Sequence, residues 1–180
     1  VNPTPDTVFA VHRRLLEALR RVMDLVGPGP VEPHFEDATA VARLVPARGR
    51  WADLGSGAGF PGIALAAFHP EARVELVESR EKRASFLELV VGEAGLANAI
   101  VLRVRAESLE EGVYDGVISR AFAPPPLYLG LARRLARPGA QAVLLLAREE
   151  PPQVAGLELV ERVLYRVGDR ERTLCRYLRG

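Results

Sequence analysis

The chain has 180 residues, 48% hydrophobic and 26% charged, with a net charge of +1, which suits one domain with a sizeable core and no disulfide staples. Cys175 is the only cysteine, so neither an intrachain disulfide nor a cysteine-based metal cage can form, as befits a reducing, cytoplasmic compartment. No apolar run approaches the roughly 20 residues of a membrane span, and residues 1–10 are polar and proline-interrupted, so neither signal peptide nor membrane anchor is expected. Charge is unevenly spread: residues 121–180 carry 10 basic and 6 acidic side chains, an excess that favours a polyanion such as RNA but equally fits a solvated, arginine-rich surface.

Apolar residues Val8, Val11, Leu15, Leu19, Val22 and Val26 recur at three- and four-residue spacing and predict a helix over residues 6–26, stopped by Gly27-Pro28-Gly29-Pro30. A shorter helix is expected over 37–44. The chain then alternates strand and helix: strand 50–54, a glycine-rich turn at 55–59, and a helix over 61–68 with Pro61 in its first turn. Strand 73–78 leads to a helix over 80–94, capped by Ser79 and ended by Gly95, and then to strand 100–104. Strand 116–119 precedes a helix over 126–136, and the nearly uninterrupted apolar run 140–147 reads as a strand buried on both faces. Residues 157–167 and 172–178 flank Gly168-Asp169 as an antiparallel hairpin.

Repeated strand–helix units predict an α/β, Rossmann-like fold: a mostly parallel seven-stranded sheet, helices on both faces and a C-terminal antiparallel hairpin. Residues 1–48 are expected to form an N-terminal helical segment packed on a core of residues 49–180. A doubly wound sheet closed by an antiparallel strand is similar to class I methyltransferases that use S-adenosylmethionine (AdoMet), more than to nicotinamide dehydrogenases.

The strongest local signal is Trp51-Ala52-Asp53-Leu54-Gly55-Ser56-Gly57-Ala58-Gly59-Phe60-Pro61-Gly62, a strand that ends on a carboxylate and turns through alternate glycines into a helix. Glycines let backbone approach a ligand without Cβ obstruction. Dinucleotide sites space their glycines as G-x-G-x-x-G and present a helix N-terminus to a pyrophosphate. Here the spacing is G-x-G-x-G behind Asp53, which would repel phosphate but can hold the cationic methionine end of AdoMet, directly or through water. Glu78, closing the next strand, has acceptors on two oxygens for the two hydroxyls of a ribose. Ala106 and Glu107, after the third strand, are placed to meet an adenine edge. Asp53, Gly55, Ser56, Gly57, Gly59, Phe60, Glu78, Ser79, Ala106, Glu107 and Arg120 are thus the expected cofactor contacts.

On particular motifs the chain resembles a narrower family, the bacterial small-subunit ribosomal RNA guanine-N7 methyltransferases, RsmG or GidB. The carriers are His34-Phe35-Glu36-Asp37, similar to that family's His-x-x-Asp-Ser; the run from Asp53 to Gly62; Glu78-Ser79 with Lys82-Arg83 and Phe86-Leu87; Arg105-Ala106-Glu107; and Ser119-Arg120-Ala121-Phe122-Ala123. The resemblance implies AdoMet as cofactor, guanine in ribosomal RNA as acceptor, and ribosomal RNA or the small ribosomal subunit as partner. The chain departs from the family in lacking an Asn-Leu-Thr stretch, in Ala38 where a serine would follow Asp37, and in Arg148-Glu149 where Lys-Gly is usual. Another RNA or a small-molecule acceptor therefore stays open, as does a non-catalytic AdoMet-fold protein that binds RNA.

Methyl transfer from a sulfonium is an in-line displacement served by proximity, alignment and exclusion of water. Guanine N7 has an in-plane lone pair, so no general base is expected. Arg120 is the expected catalytic residue in a positioning sense, reaching guanine O6 or a phosphate. His34, Phe122 and Pro124 are the expected substrate contacts, Phe122 and the prolines as an apolar wall for a base. Methylation of an exocyclic amine needs an Asn or Asp acceptor at the Arg120 position, and arginine cannot accept. His12 and His69 lie far from any acid cluster with ligand spacing, so no metal site is expected.

Overall fold

The computed structural model describes residues 3–147 and 149–180. Helix α1 (Pro5–Leu19) starts at Thr4, whose side chain accepts from the Thr7 amide, and α2 spans Glu32–Leu44. Strands β1 (Gly49–Leu54), β2 (Ala72–Val77), β3 (Ala99–Leu102), β4 (Tyr114–Ser119) and β5 (Ala136–Leu146) alternate with α3 (Gly62–Phe68), α4 (Glu81–Ala94), a 3₁₀ turn at Ala106–Ser108 and α5 (Pro125–Leu135). Strands β6 (Leu157–Val167) and β7 (Arg170–Arg179) complete one seven-stranded sheet in the order β3-β2-β1-β4-β5-β7-β6. The first five strands pair in parallel, and β7 runs antiparallel to both β5 and β6.

Successive strand residues point to opposite faces, and the sheet therefore feeds two cores. Trp51, Val74, Leu76, Ile118, Val143 and Leu174 pack beneath α1 to α4, while Ala52, Leu54, Val117, Ala142, Leu144 and Cys175 pack beneath α5. Cys175 is fully buried in β7. Helix α1 lies against α3 and α4, and α2 lies against α3 and β6. No helix among the described residues is long and apolar enough to cross a membrane.

Several boundaries differ from expectation for identifiable reasons. The first helix ends at Leu19, not Val26: Asp24 takes a left-handed φ of 53° and the Leu25 amide donates back to the Arg20 carbonyl, closing the chain in a Schellman-like turn. Val22 consequently points to solvent at 70% exposure. Helix α2 begins five residues earlier than periodicity suggests, because Pro33 sits in its first turn, where a missing N–H costs nothing. Ser79 does not cap α4. The N-cap is Arg80, and its amide donates to Glu78 Oε1 at 2.8 Å, so a neighbouring carboxylate has taken the capping place. Strand β5 starts at Ala136 directly after α5, and its Pro138-Gly139 step is absorbed as a register irregularity against β4. Gly95 does end α4, at a left-handed φ of 67°.

Candidate active site

The glycine turn lies between β1 and α3 and is held from below. Ser56 donates its amide to Val77 O and its hydroxyl to Asp53 O, and both it and Asp53 are buried. Asp53 Oδ2 accepts from the Gly62 amide at 3.1 Å, whereas Oδ1 is buried with no hydrogen-bond partner. Burial pushes this carboxyl up to about 7, although Ser56, the Gly62 amide and the charge of Arg120 pull the other way. The expected direct contact between Asp53 and a ligand is thus not offered by its side chain, which is fully covered by the turn it supports.

The glycines of this run differ in what surrounds them. A Cβ on Gly62 would lie 2.4 Å from both Asp53 Oδ2 and Leu76 Cδ2, one on Gly59 would strike Ile63, and one on Gly55 would lie 2.5 Å from the Phe122 ring. These three are needed for packing. Gly57, at φ 56°, would meet nothing nearer than 3.7 Å, so its backbone alone among them faces free space. Its amide donates to Glu78 Oε2 at 3.0 Å. Each carboxylate oxygen of Glu78 accepts one backbone N–H and keeps a lone pair for a further donor. An open glycine, a carboxylate at the strand end and a buried orphan carboxylate oxygen fit a nucleoside bearing positive charge. Of the other expected contacts, Ser79 and Glu107 are exposed, Ala106 is buried in the 3₁₀ turn, and Phe60 is 3% exposed.

Phe60 lies instead at the centre of an aromatic cluster. Its ring stacks on His12 with centroids 4.7 Å apart and on His34 at 5.6 Å, and the Arg120 guanidinium stands 5.0 Å from its centroid. His12 is fully buried and its Nε2 lies 2.7 Å from the Ala58 carbonyl inside the glycine turn. Burial lowers His12 to about 4, against the raising effect of that carbonyl, with Arg120 lowering it further. It is therefore neutral at pH 7 and donates from Nε2 to the carbonyl, with Nδ1 left unpaired. In the sequence His12 stands as an isolated histidine; the available signal was its place on the buried face of α1 beside Val8, Leu15 and Leu16.

On the other side of Arg120 is a cavity of about 920 Å³, within the size range of ligand sites. Its floor is formed by Ser119 and Leu144–Leu146 at the carboxyl ends of β4 and β5, and its walls by His34 and Asp37 of α2 and by Tyr165 and Arg172 of the hairpin. The earlier start of α2 makes His34 and Asp37 helical, three apart, and both face this space. Asp37, 8% exposed, accepts from Arg120 Nη1 at 3.2 Å on one oxygen and from the Tyr165 hydroxyl at 2.8 Å on the other. Burial and the adjacent Asp37 charge drive the Tyr165 phenol well above its usual range, so it is the donor. His34 is lowered by burial and by Arg120, with Asp37 opposing.

The expected substrate residues divide. His34 and Phe122 line the cavity; Pro124 does not, because it forms the exposed N-cap of α5 and it is Pro125 that faces inward. Phe122 follows Ala121, a non-glycine residue at φ 55°, a conformation costing about 1–2 kcal/mol. That local strain sets the ring at the boundary between Gly55 and the cavity. Tyr165 gave no signal in the sequence, because its partner Asp37 is 128 residues away. Arg148 lies outside the described residues.

The sequence profile of GidB, described as rRNA small subunit methyltransferase G, matches residues 27–164. The chain belongs to the GidB family. Over 104 residues it is 46% identical to ribosomal RNA small subunit methyltransferase G of Rhizorhabdus wittichii, covering 56% of this chain and 48% of that one. With the protein of the same name from Halorhodospira halophila it shares 35% identity over 127 residues, 71% of this chain and 60% of the relative. The chain spans about half the length of several curated relatives it matches. Among solved structures, TYW2 of M. jannaschii in complex with AdoMet superposes with a TM-score of 0.68 at 15% identity, over 83% of this chain and 77% of that one. A SAM-dependent methyltransferase from Aquifex aeolicus gives 0.63 at 18% identity, over 83% and 94%. These likenesses establish the class I methyltransferase fold. In this GidB-family chain the matched segment includes the glycine turn, Glu78, Arg120 and the floor and α2 wall of the cavity, but ends before Tyr165 and the rest of the hairpin wall and leaves out α1 with His12.

Proposed function

We propose that this chain is an AdoMet-dependent methyltransferase that modifies N7 of a guanine in small-subunit ribosomal RNA, and so works in the cytoplasm. The observation that carries the reading is the position of Arg120, which stands over Phe60 of the glycine turn and is held by Asp37 at the wall of the cavity. Cofactor turn and acceptor space therefore meet at one cation. Gly57 backbone and Glu78 would hold the nucleoside, with Ser79, Ala106 and Glu107 around the base. Asp53, whose buried carboxyl is raised to about 7 and which a nearby cation would hold ionised, favours a cationic ligand. AdoMet, when bound, supplies an electrophilic methyl group on a sulfonium.

What the protein adds is alignment and dryness. Asp37 fixes one edge of the Arg120 guanidinium, leaving its other N–H donors for guanine O6 or a phosphate. Phe122 and Pro125 give the base an apolar wall, and His34 lies opposite on α2. N7 needs no deprotonation, and a site whose central polar group is a permanently charged donor suits such an acceptor. The test is transfer of radiolabelled methyl from AdoMet to deproteinised small-subunit ribosomal RNA from cells lacking this gene, followed by nucleoside analysis. Label in 7-methylguanosine is expected. Label in another nucleoside, or none despite calorimetric AdoMet binding, overturns the assignment.

A further inference from the structure

If the cavity takes the acceptor base, the RNA brings phosphates on either side of it. In the C-terminal third, Arg162 and Arg176 are paired with Glu150 and Glu161, while Arg170 and Arg172 line the cavity itself. A second cationic cluster lies beyond the cavity. The turn after α1 brings Arg20 and Arg21 beside the first turn of α4, which carries Arg80, Lys82 and Arg83. Two of these five cations share Asp24, whose single oxygen Oδ2 serves both Arg80 at 3.6 Å and Arg83 at 3.2 Å, and the other nearby acid, Glu81 on the same turn of α4, pairs with Arg103 at 3.5 Å. The Asp24 carboxylate is 86% exposed, and exposed ion pairs are weak enough for an arriving phosphate to displace them. Arg21 and Lys82 are exposed and have no ion-pair partner among the described residues.

The cluster borders a groove of about 400 Å³ walled by Arg20, Arg21, Asp24 and the Gly27–Gly29 turn. Gly27, Pro28 and Gly29 also wall the acceptor cavity, so groove and cavity are two sides of one thin partition. Arg20 joins them further: its guanidinium donates to Gly29 O, and its charge is felt at His34 inside the cavity. Guanidinium groups match phosphate geometry, and contacts to phosphates fix the register of a nucleic acid without reading its bases.

We propose that this groove carries the RNA backbone flanking the acceptor nucleotide, gripped by Arg20, Arg21, Arg80, Lys82 and Arg83. The inference rests on the acceptor being RNA. It is tested by filter binding of deproteinised small-subunit ribosomal RNA to the full chain over a KCl series, comparing wild type with the double variant Arg21→Glu, Lys82→Glu. Affinity should fall by about tenfold or more, and the slope of log affinity against log salt should become shallower by about 2, one for each phosphate no longer neutralised. Arg48→Glu makes the same type of charge reversal at the opposite end of β1, where Arg48 is exposed, and should change neither quantity. Calorimetric AdoMet binding reports that the variants are folded; Arg21→Gln, Lys82→Gln repeats the test without introduced repulsion. Wild-type affinity and slope in both double variants overturn the proposal, as does an equal loss from Arg48→Glu or an absence of RNA binding by the wild type. Methyl label in a nucleoside other than 7-methylguanosine, with the salt slope altered as stated, ends the guanine-N7 reading and leaves the groove standing.

Discussion

The glycine turn and the neighbouring cavity meet at Arg120 but are built in opposite ways. The turn is one continuous stretch, Asp53 to Gly62, whose atoms bond mainly to each other and to the adjacent strand end: Ser56 to Asp53 and Val77, Gly62 to Asp53, Gly57 to Glu78. The cavity is assembled from side chains of α2, β4 and the hairpin, with Arg120 and Asp37 separated by 83 residues and Tyr165 and Asp37 by 128. A motif contiguous in sequence tolerates little change because its packing is local and tight. A site assembled from distant side chains loses function in graded steps.

The sharpest break in that comparison is Gly62→Ala. Its Cβ would overlap Asp53 and Leu76 in a fully buried place, and overpacking of this kind costs about 3 kcal/mol. Thermal unfolding should drop by on the order of 10 °C. Gly57→Ala meets no clash but adds about 1–2 kcal/mol of left-handed backbone strain at φ 56°, so it should lose only a few degrees while its AdoMet affinity falls, the added methyl standing where the nucleoside is expected. Equal loss of melting temperature in the two variants would mean that both glycines serve packing alone.

Arg120→Ala acts on the cavity side. Methyl transfer to ribosomal RNA should fall about 10²-fold, the usual effect of removing one preorganised donor. Calorimetric AdoMet affinity should stay within a few-fold, because the glycine turn keeps its own bonds. A variant that instead loses AdoMet binding with its turnover would place Arg120 on the cofactor.

Fold and glycine turn were legible in the sequence because period-two and strand–helix alternation are local signals, as is a glycine run behind an acid. Glu78 was legible for the same reason, standing at the end of a strand beside the turn. Its second task, capping α4 in place of Ser79, was not, because capping depends on where a neighbouring side chain bends. Pro33 hid the first turn of α2 and with it the common face of His34 and Asp37. Tyr165 was invisible for a stronger reason: it stands in the alternation of an edge strand, and its hydrogen bond exists only once that strand lies over α2.

His12 links the two regions through the N-terminal helix, and it has a pH signature. Its folded value of about 4 lies below the unfolded 6.5, so its contribution is fully present above 6.5 and is lost as pH falls toward 4. By pH 5 the loss amounts to about 2 kcal/mol. Asp53 runs the other way, since a carboxyl raised to about 7 favours the fold at low pH and loses that contribution as pH rises through 7. The difference between wild type and His12→Gln cancels Asp53, which both share. Urea unfolding of the two proteins at pH 7.5 and pH 5 should show the wild type losing about 2 kcal/mol more than the variant over that interval. Parallel losses would show that His12 is not held neutral.

The smallest expected effect decides whether the hairpin takes part in the site. Tyr165→Phe removes one hydroxyl from a half-buried ring and leaves its packing intact, so stability should change by no more than about 1 kcal/mol. What changes is Asp37, which keeps Arg120 on one oxygen but loses the donor that fixes the other. A looser Asp37 lets the guanidinium swing over Phe60, so turnover should fall about three- to tenfold while AdoMet affinity stays put. If Asp37→Asn lowers turnover to a similar degree and adding Tyr165→Phe lowers it no further, the two act through the same hydrogen bond. Independent, multiplying losses would instead make Tyr165 a direct wall of the cavity and leave Asp37 to orient Arg120 by itself.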